Sequence, residues 1–253
     1  MKTECLAQLL PYDELAYKDE RYVFGVNPSP FVRSELVETS VEFYLQDVVV
    51  GLNPEVKTAP KLPPIKGFKL LDAKGIEVPY QLLKREEAFG LTYSKHDYPH
   101  QTLVDKFSIF VAMENIPPLG WKGFSIAKTD VAPHYESRVR SGNNCIENDF
   151  LKVEAATDGT VKLTDKTTDS IYEKMNFFED SGDVGDEYNY SYPQKDEWYY
   201  SHQFFAEIRI IESGPLKAAL QIEQTMLLPK SASKDEHSRS PEKTEVSFVS
   251  ILY

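Results

Sequence analysis

Apolar and polar side chains alternate along several long segments of this chain, and that pattern constrains the fold more than any other feature. In residues 35–45, Val37, Val41 and Phe43 fall on one face, with Glu38 and Glu42 on the other. Because successive side chains of a strand point to opposite faces, the alternation predicts half-buried strands of antiparallel sheets. The same alternation runs through KFSIFVAMEN (106–115), FFAEIRII (204–211) and PLKAALQIEQTMLL (215–228).

Shorter apolar runs and turn signals complete the prediction of an all-β fold. The Asp158-Gly159 pair between two such runs indicates a compact hairpin, since that turn needs residues that tolerate positive φ. No segment after residue 20 repeats its apolar residues at the helical period. The charged, Ser-rich segment 231–243 is expected to be a mobile, solvated connector. Shorter strands are expected at 21–27, 67–85, 120–128, 150–155, 160–164 and 245–253.

The order of the strands predicts two β domains after a short lead-in. Nothing follows the last predicted strand to pair with it, and such an edge favours association. The sequence therefore indicates either a piece of a longer polypeptide or a partner that supplies further strands. We assign 1–20 to a linker, 21–140 to a small antiparallel β-sandwich and 141–253 to the first part of a larger β-sandwich, with the boundary near Ser137–Asn148.

Charge and cysteine content exclude several classes of protein. The formal net charge of −12 argues against nucleic acid and anionic membranes as partners, since both attract basic patches. Cys5 and Cys145 lie far apart and lack the spacing of a metal or redox motif, which favours a reducing compartment. No signal peptide and no apolar segment long enough to cross a membrane is found. We expect a soluble, cytoplasmic protein.

Motifs for catalysis or metal binding are absent from the sequence. The pair His96 and His100 lies in a loop containing Pro99, where the spacing carries little information about metal binding. There is no nucleophile elbow, phosphate-binding glycine loop or dinucleotide fingerprint. We therefore expect no catalytic residue and no metal ligand in this chain.

One segment, residues 176–205, interleaves acids with aromatic side chains. Sugars present apolar C–H faces to aromatic rings and hydroxyl groups to polar side chains, so this composition suits sugar contact. Two alternatives stay open. The aromatic residues could be strand residues that close the end of a sandwich, or the acids could bind calcium, although Asp180, Asp183 and Asp186 lack the spacing of an EF-hand loop. The tyrosines and the tryptophan of this segment are Tyr188, Tyr190, Tyr192, Trp198, Tyr199 and Tyr200.

Three further stretches of the chain, taken in order, form a recognisable set. They are VFGVNPSPFVRSELVE (23–38), the segment 148–193, which contains GDVGDEYNY (182–190), and ESGPLKAALQIEQTM (212–226). Together they resemble the C-terminal half of glycoside hydrolase family 38, the retaining α-mannosidases, particularly the bacterial members. The first stretch is similar to the opening of the first β domain of that family, and the second to the start of its large β-sandwich.

The resemblance implies a zinc-dependent, retaining hydrolase whose N-terminal barrel supplies the zinc ligands and both catalytic carboxyl groups. That barrel has no counterpart here, so this chain alone is expected to be inactive. By position in the family motif, Tyr188 would reach the bound sugar, with Asp186 and Tyr190 as supporting residues. The implied partners are an α-mannoside and the chain's own catalytic domain, and a homo-oligomer is compatible with this reading.

Two other function classes remain open at the level of the sequence. A free-standing carbohydrate-binding module, or an epimerase-like sandwich, would bind mannosides without the rest of a hydrolase. A structural domain for oligomer assembly would not involve residues 176–205 in sugar handling at all.

Overall fold

The structure, a computed structural model, describes residues 22–48, 60–92 and 100–253. Within these ranges the regular structure is almost entirely β-strand, with one turn of 3-10 helix at Ser201–Gln203. This confirms the all-β prediction. The strands are β1 (Tyr22–Val26), β2 (Arg33–Asp47), β3 (Gly67–Leu71), β4 (Glu77–Val78), β5 (Tyr80–Thr92), β6 (His100–Ile116), β7 (Trp121–Thr129), β8 (Arg140–Gly142), β9 (Cys145–Glu147), β10 (Leu151–Ala155), β11 (Val161–Asp165), β12 (Ser170–Met175), β13 (Glu179–Asp180), β14 (Tyr199–Tyr200), β15 (Ala206–Ser213), β16 (Ala218–Pro229) and β17 (Lys243–Leu252).

The chain divides into two compact units, Met1–Glu136 and Ser137–Tyr253. The predicted linker 1–20, Cys5 and His96 lie outside the described residues. The domain boundary between residues 140 and 141 stays a prediction, and β8 crosses that position. No helix in the described ranges has the length and apolar character needed to span a membrane.

Two antiparallel sheets form the first unit, and their inner faces make its core. Among the described residues the strand orders are β2-β6-β5 and β1-β7-β3-β4. Along β2 and β6 the predicted alternation holds, because Val41 and Phe43 face inward with Phe107. Phe43 and Phe107 contact Phe68 of the opposite sheet, with ring centroids 5.4 Å and 5.2 Å away. This packing confirms the predicted small β-sandwich.

The stretch 23–38 bends around the buried side chain of Asn27. Its Nδ2 donates to the carbonyl oxygens of Phe31 (2.7 Å), Ile116 (3.2 Å) and Pro117 (3.1 Å). Its Oδ1 accepts from the backbone amide of Ser29 at 3.0 Å and from the hydroxyl at 2.6 Å. A buried amide needs such partners, so the Asn-Pro-Ser-Pro sequence holds this loop against the end of β6.

The second unit, described throughout, contains the sheets β12-β11-β10-β9-β8 and β15-β16-β17 and the short pair β13-β14. Its core joins Ile146 and Val161 of the first sheet to Ala206, Leu220 and Ile222 of the second. The predicted Asp158-Gly159 hairpin links β10 to β11. Gly159 has φ +80°, and its amide donates to the carbonyl of Ala156 at 2.9 Å.

Some short strands of the second unit were not predicted from the sequence. The polar stretch Ser137–Asn148 begins where the two compact units divide, and it contains β8 and β9, which extend the first sheet. β12 was not expected, because most of its residues are exposed and no apolar alternation marks it. Among the described residues β17 pairs with β16 along one side and forms the edge of its sheet. The last strand predicted from the sequence was expected to be such an edge.

Opposite faces of β16 give a direct test of this core. Leu220→Ala, at a fully buried position, should lower the free energy of unfolding by about 2–5 kcal/mol, because it leaves a cavity. Leu227→Ala, at a position 45% exposed on the other face, should cost no more than about 1 kcal/mol. Urea unfolding of the two variants measures this difference. Equal losses would contradict the assigned faces.

Candidate functional site

The acidic, aromatic loop predicted from the sequence connects β13 to β14. These strands pair antiparallel, with Glu179 opposite Tyr200 and Asp180 opposite Tyr199. Isolated two-stranded ribbons are marginal in water, so this short ladder needs further contacts to hold the loop. The residues between the two strands, 181–198, are called the acidic loop below.

Gln224 connects the base of the acidic loop to the core. Its side chain is 3% exposed on β16, and its Nε2 lies 3.0 Å from the carbonyl oxygen of Asp158, 2.6 Å from that of Ser201 and 2.8 Å from that of Phe204. Two N–H groups are thus shared among three acceptors. Because leaving buried polar groups unpaired costs about 1–3 kcal/mol, these bonds keep the 3-10 turn and the Asp158-Gly159 turn on the central strand.

Ser201, which follows the acidic loop, also bonds Phe178, which precedes it. Its amide donates to the carbonyl of Phe178 at 2.9 Å, and its Oγ accepts from the amide of Phe178 at 3.0 Å. The ring of Phe178 stacks on Phe248 of β17, with centroids 5.1 Å apart. Both arms of the acidic loop are therefore anchored to the sheet β15-β16-β17.

Inside the acidic loop, two aspartates organise the backbone. Asp183 Oδ1 accepts from the amides of Gly185 (2.8 Å) and Ser191 (3.0 Å). Asp186 Oδ1 accepts from the amides of Tyr188 (2.9 Å) and Asn189 (2.8 Å). Amide donors favour the charged carboxylate, so these bonds lower the pKa of both aspartates, most strongly through Ser191 for Asp183 and through Tyr188 for Asp186.

A glycine is required where the acidic loop folds back on itself. A Cβ atom at Gly185 would overlap the carbonyl oxygen of Asn189. Any side chain at this position would force the two passes of backbone apart. The glycine of the Gly-Asp-Glu-Tyr sequence thus permits the tight turn in which Tyr188 lies.

The three predicted site residues have different surroundings. Tyr188 is 85% exposed and lies within the turn that Asp186 holds. Tyr190 is also exposed, and its hydroxyl lies 3.2 Å from the Oγ of Ser181. The structure therefore joins Asp186 to the backbone of Tyr188, while the Tyr190 hydroxyl pairs with the start of the loop.

A row of aromatic rings lies beside the acidic loop, and sequence reasoning recognised it only in part. Tyr200 stacks on Phe177 (centroids 5.7 Å apart) and on His202 (5.7 Å), and Trp198 lies 6.4 Å from Tyr200. Trp198 and Tyr200 are alternate residues of an extended segment and lie on one side of it. His202 stacks on Tyr200 from the 3-10 turn Ser201–Gln203, and Phe177 joins from a separate segment, so the spacing along the chain gave no signal for either.

The segment 231–243 is not the solvated connector that was expected. Its Arg239 side chain bonds Asp180 Oδ2 at 2.5 Å and the carbonyl of Glu197 at 3.0 Å. The carbonyl of His237 accepts from the amide of Lys195 at 2.8 Å. Sequence reasoning missed these contacts because a charged, Ser-rich composition is the same for a docked segment and for a free one.

No metal centre can be assigned to the part of the chain that the structure describes. In these ranges no group of three or more His, Cys, Asp or Glu side chains converges as ligands would. The acids considered for calcium are engaged separately, Asp180 with Arg239 and both Asp183 and Asp186 with backbone amides.

Comparison with known proteins shows what this chain is similar to. No family model matches the chain. A curated protein of Halalkalibacterium halodurans named "Putative mannosylglycerate hydrolase" is 35% identical over 99 residues, which cover 38% of this chain and 11% of that protein. The alignment therefore spans a small part of the relative.

Two solved structures match nearly the whole chain. An α-mannosidase from Enterococcus faecalis V583 superposes with a TM-score of 0.74 and 22% identity, covering 93% of this chain and 28% of that one. A glycosyl hydrolase family 38 protein from Enterococcus faecalis gives a TM-score of 0.73 and 22% identity, covering 93% and 29%. The chain thus has the fold of part of a glycoside hydrolase. Its resemblance to the C-terminal β-sandwich portion of family 38 is confirmed.

The lowered pKa values in the acidic loop predict a local response to acid. Since the folded pKa is below the unfolded value of about 3.9, the stabilisation is complete above that value and is lost as pH falls through the folded pKa. The amides of Tyr188 and Ser191 should shift in this range in an NMR titration.

Asp186→Asn is the matched control for this titration. Its amide oxygen still accepts but no longer ionises, so the Tyr188 amide should lose its response while the Ser191 amide keeps the response that Asp183 gives it. A Tyr188 amide that still responds would show that Asp186 does not control it.

Proposed function

We propose that this chain is the non-catalytic C-terminal β portion of an α-mannosidase-like glycoside hydrolase, and that it lends Tyr188 to a sugar site built by another part of the polypeptide. The observation that carries the proposal is the fold match over 93% of this chain to only 28% of an α-mannosidase. The sequence relationship to a "Putative mannosylglycerate hydrolase" supports the same class of α-mannoside substrate.

The surroundings of Tyr188 support its role as a substrate contact. An aromatic ring with a hydroxyl group can contact both the apolar face and the hydroxyl rim of a sugar. Tyr188 is 85% exposed, and its backbone is held by Asp186. A side chain on a fixed backbone loses less freedom on binding than one on a free loop. Asp186 supports this role by holding the backbone at Tyr188, and Tyr190 supports it by the contact of its hydroxyl with Ser181.

The proposed reaction is a retaining double displacement carried out by the catalytic domain. An aspartate there attacks the anomeric carbon, and a second carboxyl group serves first as acid and then as base. The described residues of this chain do not fit a zinc site, so zinc would be held by that domain. This chain alone would then be inactive.

We place the hydrolase in the cytoplasm, with its own N-terminal catalytic domain and an α-mannoside as partners, and a homo-oligomer is compatible with that assignment. The excess of acidic residues fits an uncharged ligand better than nucleic acid or an anionic membrane.

A second candidate is a carbohydrate-binding module, and the exposed aromatic row favours it. Trp198 is 48% exposed beside Tyr200 and His202, so a bound sugar would alter its emission. Titrating this chain with methyl α-mannoside while following tryptophan fluorescence tests this function. Saturable binding would favour the module, and an unchanged signal would favour the hydrolase portion.

The hydrolase proposal predicts a specific effect of one hydroxyl group. Tyr188→Phe in the natural polypeptide should lower kcat/KM for an aryl α-mannoside about tenfold, because a hydrogen bond to the sugar is worth about 1–1.5 kcal/mol. Tyr192→Phe, at another exposed tyrosine of the same loop, should leave the kinetics unchanged. If Tyr188→Phe changes neither turnover nor KM, Tyr188 does not contact the substrate.

A further inference from the structure

Arg239 occupies the base of the acidic loop, although it comes from a distant part of the sequence. Its side chain is 9% exposed. One arm of its guanidinium bonds Asp180 Oδ2 at 2.5 Å, and the other bonds the carbonyl of Glu197 at 3.0 Å. Asp180 precedes the loop and Glu197 lies at its end, so one planar group joins both ends.

Ring contacts strengthen the same attachment. The guanidinium carbon of Arg239 lies 5.2 Å from the ring centroid of Tyr199, and the Nζ of Lys243 lies 4.8 Å from it. Both distances suit a cation over an aromatic face. The hydroxyl of Tyr199 donates to Glu197 Oε2 at 2.6 Å, so the second arm of the loop is fixed by side chain and backbone together.

Arg239 is itself held by a structured hairpin that joins β16 to β17. The two strands pair to their ends, where Pro229 lies opposite Lys243. Beyond them the amide of Lys230 donates to Glu242 O at 2.9 Å, and that of Ser240 donates to Ser231 O at 2.9 Å. The position of Arg239 is therefore set by the sheet that forms the core of its unit.

A backbone contact runs alongside the arginine. Lys195 and Ser238 form a parallel bridge, and the amide of Lys195 donates to the carbonyl of His237 at 2.8 Å. The hairpin thus contacts the acidic loop through backbone as well as side chain. Without these contacts the loop would depend on the β13-β14 ladder and on the Gln224 anchor at Ser201.

We propose that Arg239 is a positioning residue for the substrate contact: it holds both ends of the acidic loop on the β16-β17 hairpin and thereby sets the place of Tyr188. The part of this inference that concerns Tyr188 rests on the proposed function. The attachment of the loop by Arg239 is independent of the proposed function, because it can be measured without substrate.

The first test is amide hydrogen exchange in the natural polypeptide that contains this chain. Arg239→Ala should speed exchange at Gly182, Val184 and Ser191 by at least about tenfold, while the β16 amides keep their protection. The matched control is Arg209→Ala, since Arg209 pairs with Glu223 at 2.8 Å but is half exposed and lies away from the loop. If the variant and the control leave the loop equally protected, Arg239 does not hold it.

Two further variants separate a local effect from a failure to fold. Arg239→Lys keeps the charge near Asp180 but lacks the planar fork, so it should restore part of the protection. Asp180→Asn removes the charged partner at constant size and should loosen the same amides. A uniform loss of protection over the whole chain in all three variants would contradict a positioning role.

The second test is a double-mutant cycle on kcat/KM for an aryl α-mannoside. If Arg239 acts through Tyr188, Arg239→Ala should raise KM, and combining it with Tyr188→Phe should cost little more than the worse single change. Effects that multiply would overturn the inference. A silent Tyr188→Phe together with a loosened loop would instead overturn the proposed sugar contact and leave the attachment by Arg239 standing.

Discussion

The buried amide of Gln224 is the interaction on which the candidate site depends most. It satisfies the carbonyl groups of Asp158, Ser201 and Phe204 from the central strand of the second unit. Removing it would take one donor at once from the buried carbonyl of Ser201 and from the partly buried carbonyls of Asp158 and Phe204, which costs more than one ordinary hydrogen bond gains. Arg239 provides a second attachment on the other side of the same base. A loop with only a short ladder of its own can then hold a fixed shape.

The strands were predictable wherever one face is buried and the other exposed. β2, β6 and β16 show this alternation in the sequence because every second residue enters a core. β12 is mostly exposed, so its sequence shows no such alternation. β8 and β9 are short and lie in a polar stretch. The pairing of β9 with β10 and of β8 with β9 comes from the sheet they join rather than from their own composition.

The candidate site was predictable in composition but not in construction. Acids and tyrosines between residues 176 and 205 marked the loop, and the family motif pointed to Tyr188. The bonds from Asp186 to the backbone follow local turn chemistry and lie within reach of sequence reasoning. The contacts of Gln224 and Arg239 join residues far apart along the chain, and polar residues on a strand or in a Ser-rich segment give no sign of such partners.

The central claim is that this chain works as the β portion of a larger hydrolase. The fold match to 28% of an α-mannosidase supports this claim, and the role given to Tyr188 requires a catalytic domain in the same polypeptide. The most direct measurement is the mass of the native polypeptide, by immunoblot of source cells with an antibody raised to this chain. The account predicts a band several-fold heavier than 28.9 kDa, and a single band near 28.9 kDa would contradict it.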